Sequence, residues 1–113
     1  MATPTQWLGA TQVNTGLAAT GNQSDSKIIG LANNTFLVIW TEASNGVIAP
    51  DPSSDIVGKI YAADGTVLRD AFRVNTDRTS DTEHLPDISA THDGFVMAYV
   101  DQGGGGTNQS SII

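Results

Sequence analysis

Apolar residues fall along this chain in short runs, each closed off by Gly, Asn, Asp or Ser. The densest run is Phe36-Leu37-Val38-Ile39-Trp40. In an extended strand its odd and even members point to opposite faces, so both faces are apolar and both need cover. Runs at 27–31, 56–62, 67–74, 87–91 and 94–101 read as further strands, with 35–42 around the central run and an earlier equivalent of 67–74 near 8–13. Asn33-Asn34 and His92-Asp93-Gly94 break the first two strands of each set, and Ala63-Asp64-Gly65-Thr66 breaks the last two. Asp-Gly between apolar runs signals a hairpin, because Gly accepts the positive φ that such a turn needs. No segment keeps a helical period, and Gly, Asn and β-branched residues weigh against one.

The pattern repeats. Val13-Asn14-Thr15 returns as Val74-Asn75-Thr76, Ile28 as Ile88, and Phe36-Leu37-Val38-Ile39-Trp40 as Phe95-Val96-Met97-Ala98-Tyr99, at spacings that shorten from 61 to 60 to 59. Short loop deletions produce such a drift. Ile112-Ile113 looks like the start of the strand that begins at Ile56-Val57. The predicted fold is therefore all-β: two four-stranded antiparallel repeats, propeller-blade-like, the second incomplete. The division is a lead-in strand or contact arm at 1–10, a first repeat at 11–71 and a truncated second repeat at 72–113. A single four-stranded sheet cannot cover both faces of its central strand, so the sheets must stack.

Composition narrows the partners. The 113 residues suffice for one domain, and they carry 12 acidic against 5 basic side chains, a net charge of −7. Such a surface repels phosphate backbones, which weighs against nucleic acid. With no cysteine there is neither a disulfide framework nor a thiolate metal site. The first ten residues lack the basic and apolar regions of a signal peptide, and the longest apolar run is too short for membrane insertion. The loops after 35–42 and 94–101 are long and rich in Gly, Pro, Ser and Asn, and four consecutive glycines stand at Gly103 to Gly106. Loops on one edge of each repeat are where repeat proteins commonly bind, although plain connections look the same.

Gly21-Asn22-Gln23-Ser24, the Phe36 to Trp40 run, Ile60-Tyr61-Ala62-Ala63-Asp64-Gly65 and Phe72-Arg73-Val74-Asn75-Thr76 together resemble the tandem repeat of large secreted bacterial proteins of the hemolysin-type, RTX-like adhesin kind. The resemblance runs from Thr11 onward. It implies a secreted, cell-surface or particle-associated β-repeat protein, and the first ten residues add the expectation that this occurs without an N-terminal signal peptide. Its motifs lie at turn and core positions, so they speak to fold before function. The Gly-Gly-x-Gly-x-Asp nonapeptides that bind calcium in such proteins do not occur here, so calcium binding is not carried over.

Candidate chemistry is sparse. His84 and His92 are the two histidines; Asp81, Glu83 and Asp87 lie near the first. Glu83 and His84 align with Gln23 and Ser24, in a polar lead that needs no chemistry, and neighbours along a strand point apart. No serine sits in a Gly-x-Ser-x-Gly elbow, and the glycine run lacks the Lys of a phosphate loop. Glu42, Asp51 and Asp55 are the candidate oxygen ligands for calcium, though solvated loop acids are the commoner origin of such a cluster. Trp7, Trp40, Tyr61 and Tyr99 are the aromatics on which a sugar ring could stack, against core packing as the alternative. Trp7 has no counterpart in the other repeat and suits a contact with another chain.

These features favour a non-enzymatic repeat module for adhesion, assembly or spacing. The alternatives are a small carbohydrate-binding lectin that closes a propeller by oligomerisation, and a piece of a larger hydrolase. In each case the partner is itself or a neighbouring repeat by strand pairing, with glycans possible for the lectin. An apolar strand edge at Ile112-Ile113 invites another strand. The isolated chain is thus expected to pair or aggregate. Light scattering coupled to size exclusion checks this, and a stable species of 11.8 kDa at all concentrations would contradict it.

Overall fold

A computed structural model describes residues 10–15, 22–42, 54–75, 82–102 and 110–112. Seven strands are present among them: β1 (Gln23–Leu31), β2 (Thr35–Glu42), β3 (Asp55–Ala62), β4 (Val67–Arg73), β5 (Thr82–Ala90), β6 (Phe95–Gln102) and β7 (Ser110–Ile112). They form an antiparallel four-stranded sheet in the order β1-β2-β3-β4 and a second sheet in the order β5-β6-β7. The chain is all-β, and among the described residues neither sheet closes on itself.

Local chemistry sets the turns. A single 3-10 turn, Ala32–Asn34, joins β1 to β2, with Asn33 at φ 61 and Asn34 at φ 57. Asn tolerates this left-handed region better than most residues. Between β3 and β4, Gly65 takes φ 88 and its N–H donates to the Ala62 carbonyl at 3.0 Å. Asp64 Oδ1 accepts from the Thr66 N–H at 2.9 Å, closing the predicted Asp-Gly hairpin.

The two sheets share one register. Gln23 pairs with Glu42 as Glu83 pairs with Asp101, and Ile28 pairs with Val38 as Ile88 pairs with Met97. Both first hairpins slip at the same place, between Ser24 and Lys27 and between His84 and Asp87. A bulge accounts for it: Asp25 takes φ 55 in β1, and the corresponding stretch of β5 contains Pro86, which a regular ladder position would not accept. The third strands also correspond. Thr41 pairs with Ile56, and its counterpart Val100 pairs with Ile112. The polar leads ahead of 27 and 87 are thus strand rather than loop, because the bulge lets the ladder continue past it.

One expectation is corrected. Residues 10–13 carry no strand. Instead Val13 packs over one face of the first sheet, and its carbonyl accepts from Lys59 Nζ at 3.2 Å. The segment is held across the sheet rather than at an edge. Residues 8 and 9 of that expectation, like the loops at 43–53 and 103–109, lie outside the described residues. β4 runs through position 71, where the first repeat was expected to end.

Strand alternation gives the first sheet two apolar faces. The front carries Phe36, Val38, Trp40, Val57 and Tyr61, with Val13 and Ala71 against them. Phe36 and Tyr61, paired in register, stack with centroids 5.1 Å apart. The back carries Leu37, Ile39 and Ile56, all fully buried, under Tyr99, Phe95, Met97 and Ile88 of the second sheet. By the shared register Tyr99 corresponds to Trp40 and Met97 to Val38. The front of the second sheet therefore covers the back of the first. Each fully buried Leu or Ile contributes about 1.5–3 kcal/mol relative to exposure.

Thr41 points to the back as well, 5% exposed, with its Oγ1 buried and unpartnered. An unsatisfied buried hydroxyl costs about 1–3 kcal/mol, and Val100 holds the equivalent place in the second sheet. Thr41→Val is expected to stabilise the chain by about 1 kcal/mol, a rise of about 4 °C in Tm. Calorimetry checks this; a fall in Tm would show that the hydroxyl is bonded.

Candidate functional site

The polar side chains converge where β2 ends and β3 begins. Glu42 and Asp55 are register partners, 1% and 0% exposed. Like charges directly across a ladder repel, and burial adds to the cost unless each carboxylate is bonded. Here each is. Glu42 Oε1 accepts from Gln23 Nε2 at 3.0 Å and Oε2 from the Trp40 indole N–H at 2.7 Å. Gln23 in turn accepts from Asn14 Nδ2 at 2.8 Å. Asp55 Oδ1 accepts from Asn75 Nδ2 at 2.7 Å, and Asn75 Oδ1 accepts from the Ile56 N–H at 2.8 Å. The Arg73 guanidinium lies 3.8 Å from Asp55 Oδ2. The two carboxylates are fasteners that tie β1, β2, β3 and the segments at 14 and 75 together.

Lys59 is the second fastener. It is 5% exposed on the front face, donates to Thr15 Oγ1 at 3.1 Å as well as to the Val13 carbonyl, and lies 3.5 Å from Asp70. Its ammonium also stands 5.7 Å from the centre of the Tyr61 ring. Because Asp70 is exposed, that ion pair adds little. The Ala71 N–H and then the Lys59 charge hold the Asp70 carboxyl below its ordinary 3.8, and bonds from Thr66 do the same for Asp64.

Among the candidate calcium ligands, Glu42 and Asp55 come together and Asp51 lies outside the described residues. Among the described residues no three His, Cys, Asp or Glu side chains cluster. The candidate sugar platforms Trp40, Tyr61 and Tyr99 are 3%, 7% and 6% exposed, with their rings inside the two cores. Trp7 lies outside the described residues. His84 sits in β5 with its Nδ1 buried and unpartnered, while His92 is 97% exposed in the β5–β6 turn, 3.6 Å from Asp93. The structure does not bring the two histidines into one cluster.

An open groove of about 310 Å³ runs over Val38 and Trp40, walled by Val13 and Asn14 on one side and by Gln23 and Ser24 to Ser26 on the other. Lys59, Gln23 and the two asparagines were not among the expected site residues. The recurrence of Val-Asn-Thr was the signal that marked Asn14 and Asn75. Among the described residues no helix is long and apolar enough to cross a membrane. No protein-family model, curated protein or solved structure matches the chain.

Two outcomes follow from these bonds. Asn75→Ala removes the donor to Asp55 Oδ1 and the acceptor of the Ile56 N–H, and is expected to cost about 3 kcal/mol in urea denaturation. A loss under about 1 kcal/mol would contradict the fastening role. Asp64 and Asp70 are expected to titrate below 3.8 by side-chain carbon NMR. Depressed carboxyls stabilise the fold above the unfolded value, and that contribution is lost as pH falls through the folded one. A midpoint at or above 3.8 for either would contradict the bonding described.

Proposed function

We propose that the chain is a β-repeat module for assembly or spacing in a secreted or surface-exposed protein, with no catalytic role. The observation that carries this reading is the front-on-back stacking of two sheets that share one register and one bulge. A unit that covers its own back with a copy of its own front can be repeated without change of design. Four-stranded antiparallel sheets that stack in this sense also suit propeller-like blades, which is the finer architecture we infer.

Three further features support it. The buried carboxylates are committed to bonds within the sheet, so they are poorly suited to act as acid, base or nucleophile. Among the described residues, β7 takes on β6 the place that β3 takes on β2, with Val100 opposite Ile112 as Thr41 is opposite Ile56. The resemblance to secreted adhesin repeats fits an exposed setting. A carbohydrate-binding reading draws on the groove beside Trp40, whose wall offers the Asn14 and Gln23 amides. The burial of the aromatic rings makes it the second choice.

The reading is tested by extension. Since Ile112 holds the register of Ile56, residues 58–113 can be appended after Ile113, once or twice. The expected result is a rise in stability by a constant increment per copy, with the copies unfolding as one array. Added copies that unfold independently of the rest would overturn the proposal. So would turnover by the parent chain on a hydrolase substrate panel that His84→Ala, His92→Ala abolishes.

A further inference from the structure

We propose that the front of the first sheet and the back of the second are complementary docking surfaces, through which copies of this chain associate head to tail with Ile28 of one copy against Val96 of the next. The inference rests on the repeat reading and adds to it the partner and the contact.

The interface inside the chain is its template. There the second sheet's front, with Ile88, Met97 and Tyr99, lies on the first sheet's back, with Leu37 and Ile39. Each chain has one further front and one further back. Four large apolar residues stand exposed among the described residues: Ile28, Val67, Leu68 and Val96. Two of them occupy positions that the template buries. Ile28, 64% exposed, corresponds to Ile88, which packs into the core between the sheets. Val96, 58% exposed, corresponds to Leu37, which is 0% exposed. Ala98, in the place of Ile39, is exposed beside it.

The segment at 13–15 supplies a second line of argument. Val74 joins the core that contains Tyr99 and Met97, while Val13 joins the core that contains Trp40 and Val38. Val13 is thus to the front of the first sheet what Val74 is to the front of the second. In the template, Val74 comes with a whole covering sheet. At the first sheet's front Val13 is present, a groove lies open beside it over Val38 and Trp40, and Ile28 is left bare. The vacant part matches what the back of a second copy would supply. Front and back differ, so the contact is heterologous: it propagates into a chain of copies or closes into a ring, and it cannot form an isologous pair.

The test uses the whole chain with Ile28→Asp and Val96→Asp, in light scattering over a concentration series. Both positions are exposed, and circular dichroism confirms the sheet content; should either aspartate unfold the chain, Ile28→Gln and Val96→Gln are read in the same way. The expected result is a wild-type mass that climbs above 11.8 kDa with concentration, and two variants that each stay at that mass. An equimolar mixture of the two variants should give a one-to-one complex and nothing larger, since it retains one good front and one good back. A wild-type chain that stays monomeric, variants that still associate, or a mixture that remains monomeric would each overturn the docking. If docking fails while appended repeats still add stability in constant increments, the repeat reading stands. If the increments fail, the reading beneath the docking fails with them.

Discussion

Val38 and Trp40 leave β2 on one side, Leu37 and Ile39 on the other, and leaving either pair in water would cost several kcal/mol. This two-sided strand governs the rest of the structure. One sheet can hydrogen-bond it but cannot cover it. The back is covered by the second sheet, and part of the front by the segment around Val13. The close approach on the back is tight at one residue. A Cβ on Gly58 would stand 3.1 Å from Val74 and 3.2 Å from Leu37, so any larger residue in β3 there would make those side chains give by a few tenths of an ångström.

Burial on both sides creates a difficulty at the strand ends, where the chain must turn polar while still inside. Glu42 and Asp55 face each other there at 1% and 0% exposure. The Gln23 and Asn75 amides and the Trp40 indole donate to their oxygens from three parts of the chain, so the charge that would open the fold instead ties its segments together. Among the described residues these two carboxylates are taken up in holding strands together, whereas His92 stands exposed in the β5–β6 turn.

Much of this was legible in the residues. The continuous apolar run from Phe36 to Trp40 located β2 within the bounds 35–42, and Asp64-Gly65 and Asn33-Asn34 marked turns that take positive φ. The drift from 61 to 59 between matched residues corresponds to the paired registers. Two things were not legible. The bulges at Asp25 and Pro86 hid the first part of β1 and β5, because an irregular ladder has no simple alternation to read. Residues 10–13 looked like a strand from their likeness to the end of β4, yet composition cannot say whether an extended segment lies beside a sheet or across it. For the candidate site, the pattern named Glu42 and Asp55 but not their partners, since Gln23 and Asn75 lie far from them in sequence and meet them through pairing alone.

The central claim is that the core on the back of the first sheet is made by two successive copies, and a double-mutant cycle between Leu37 and Tyr99 tests it most directly. Both residues belong to that core, whereas Trp40 belongs to the front one. Leu37→Ala and Tyr99→Leu should be non-additive in urea denaturation, with a coupling of about 1 kcal/mol, while Trp40→Leu and Tyr99→Leu should add. Additivity for Leu37 and Tyr99 would mean that the sheets do not share a core, and the front-on-back account would be wrong.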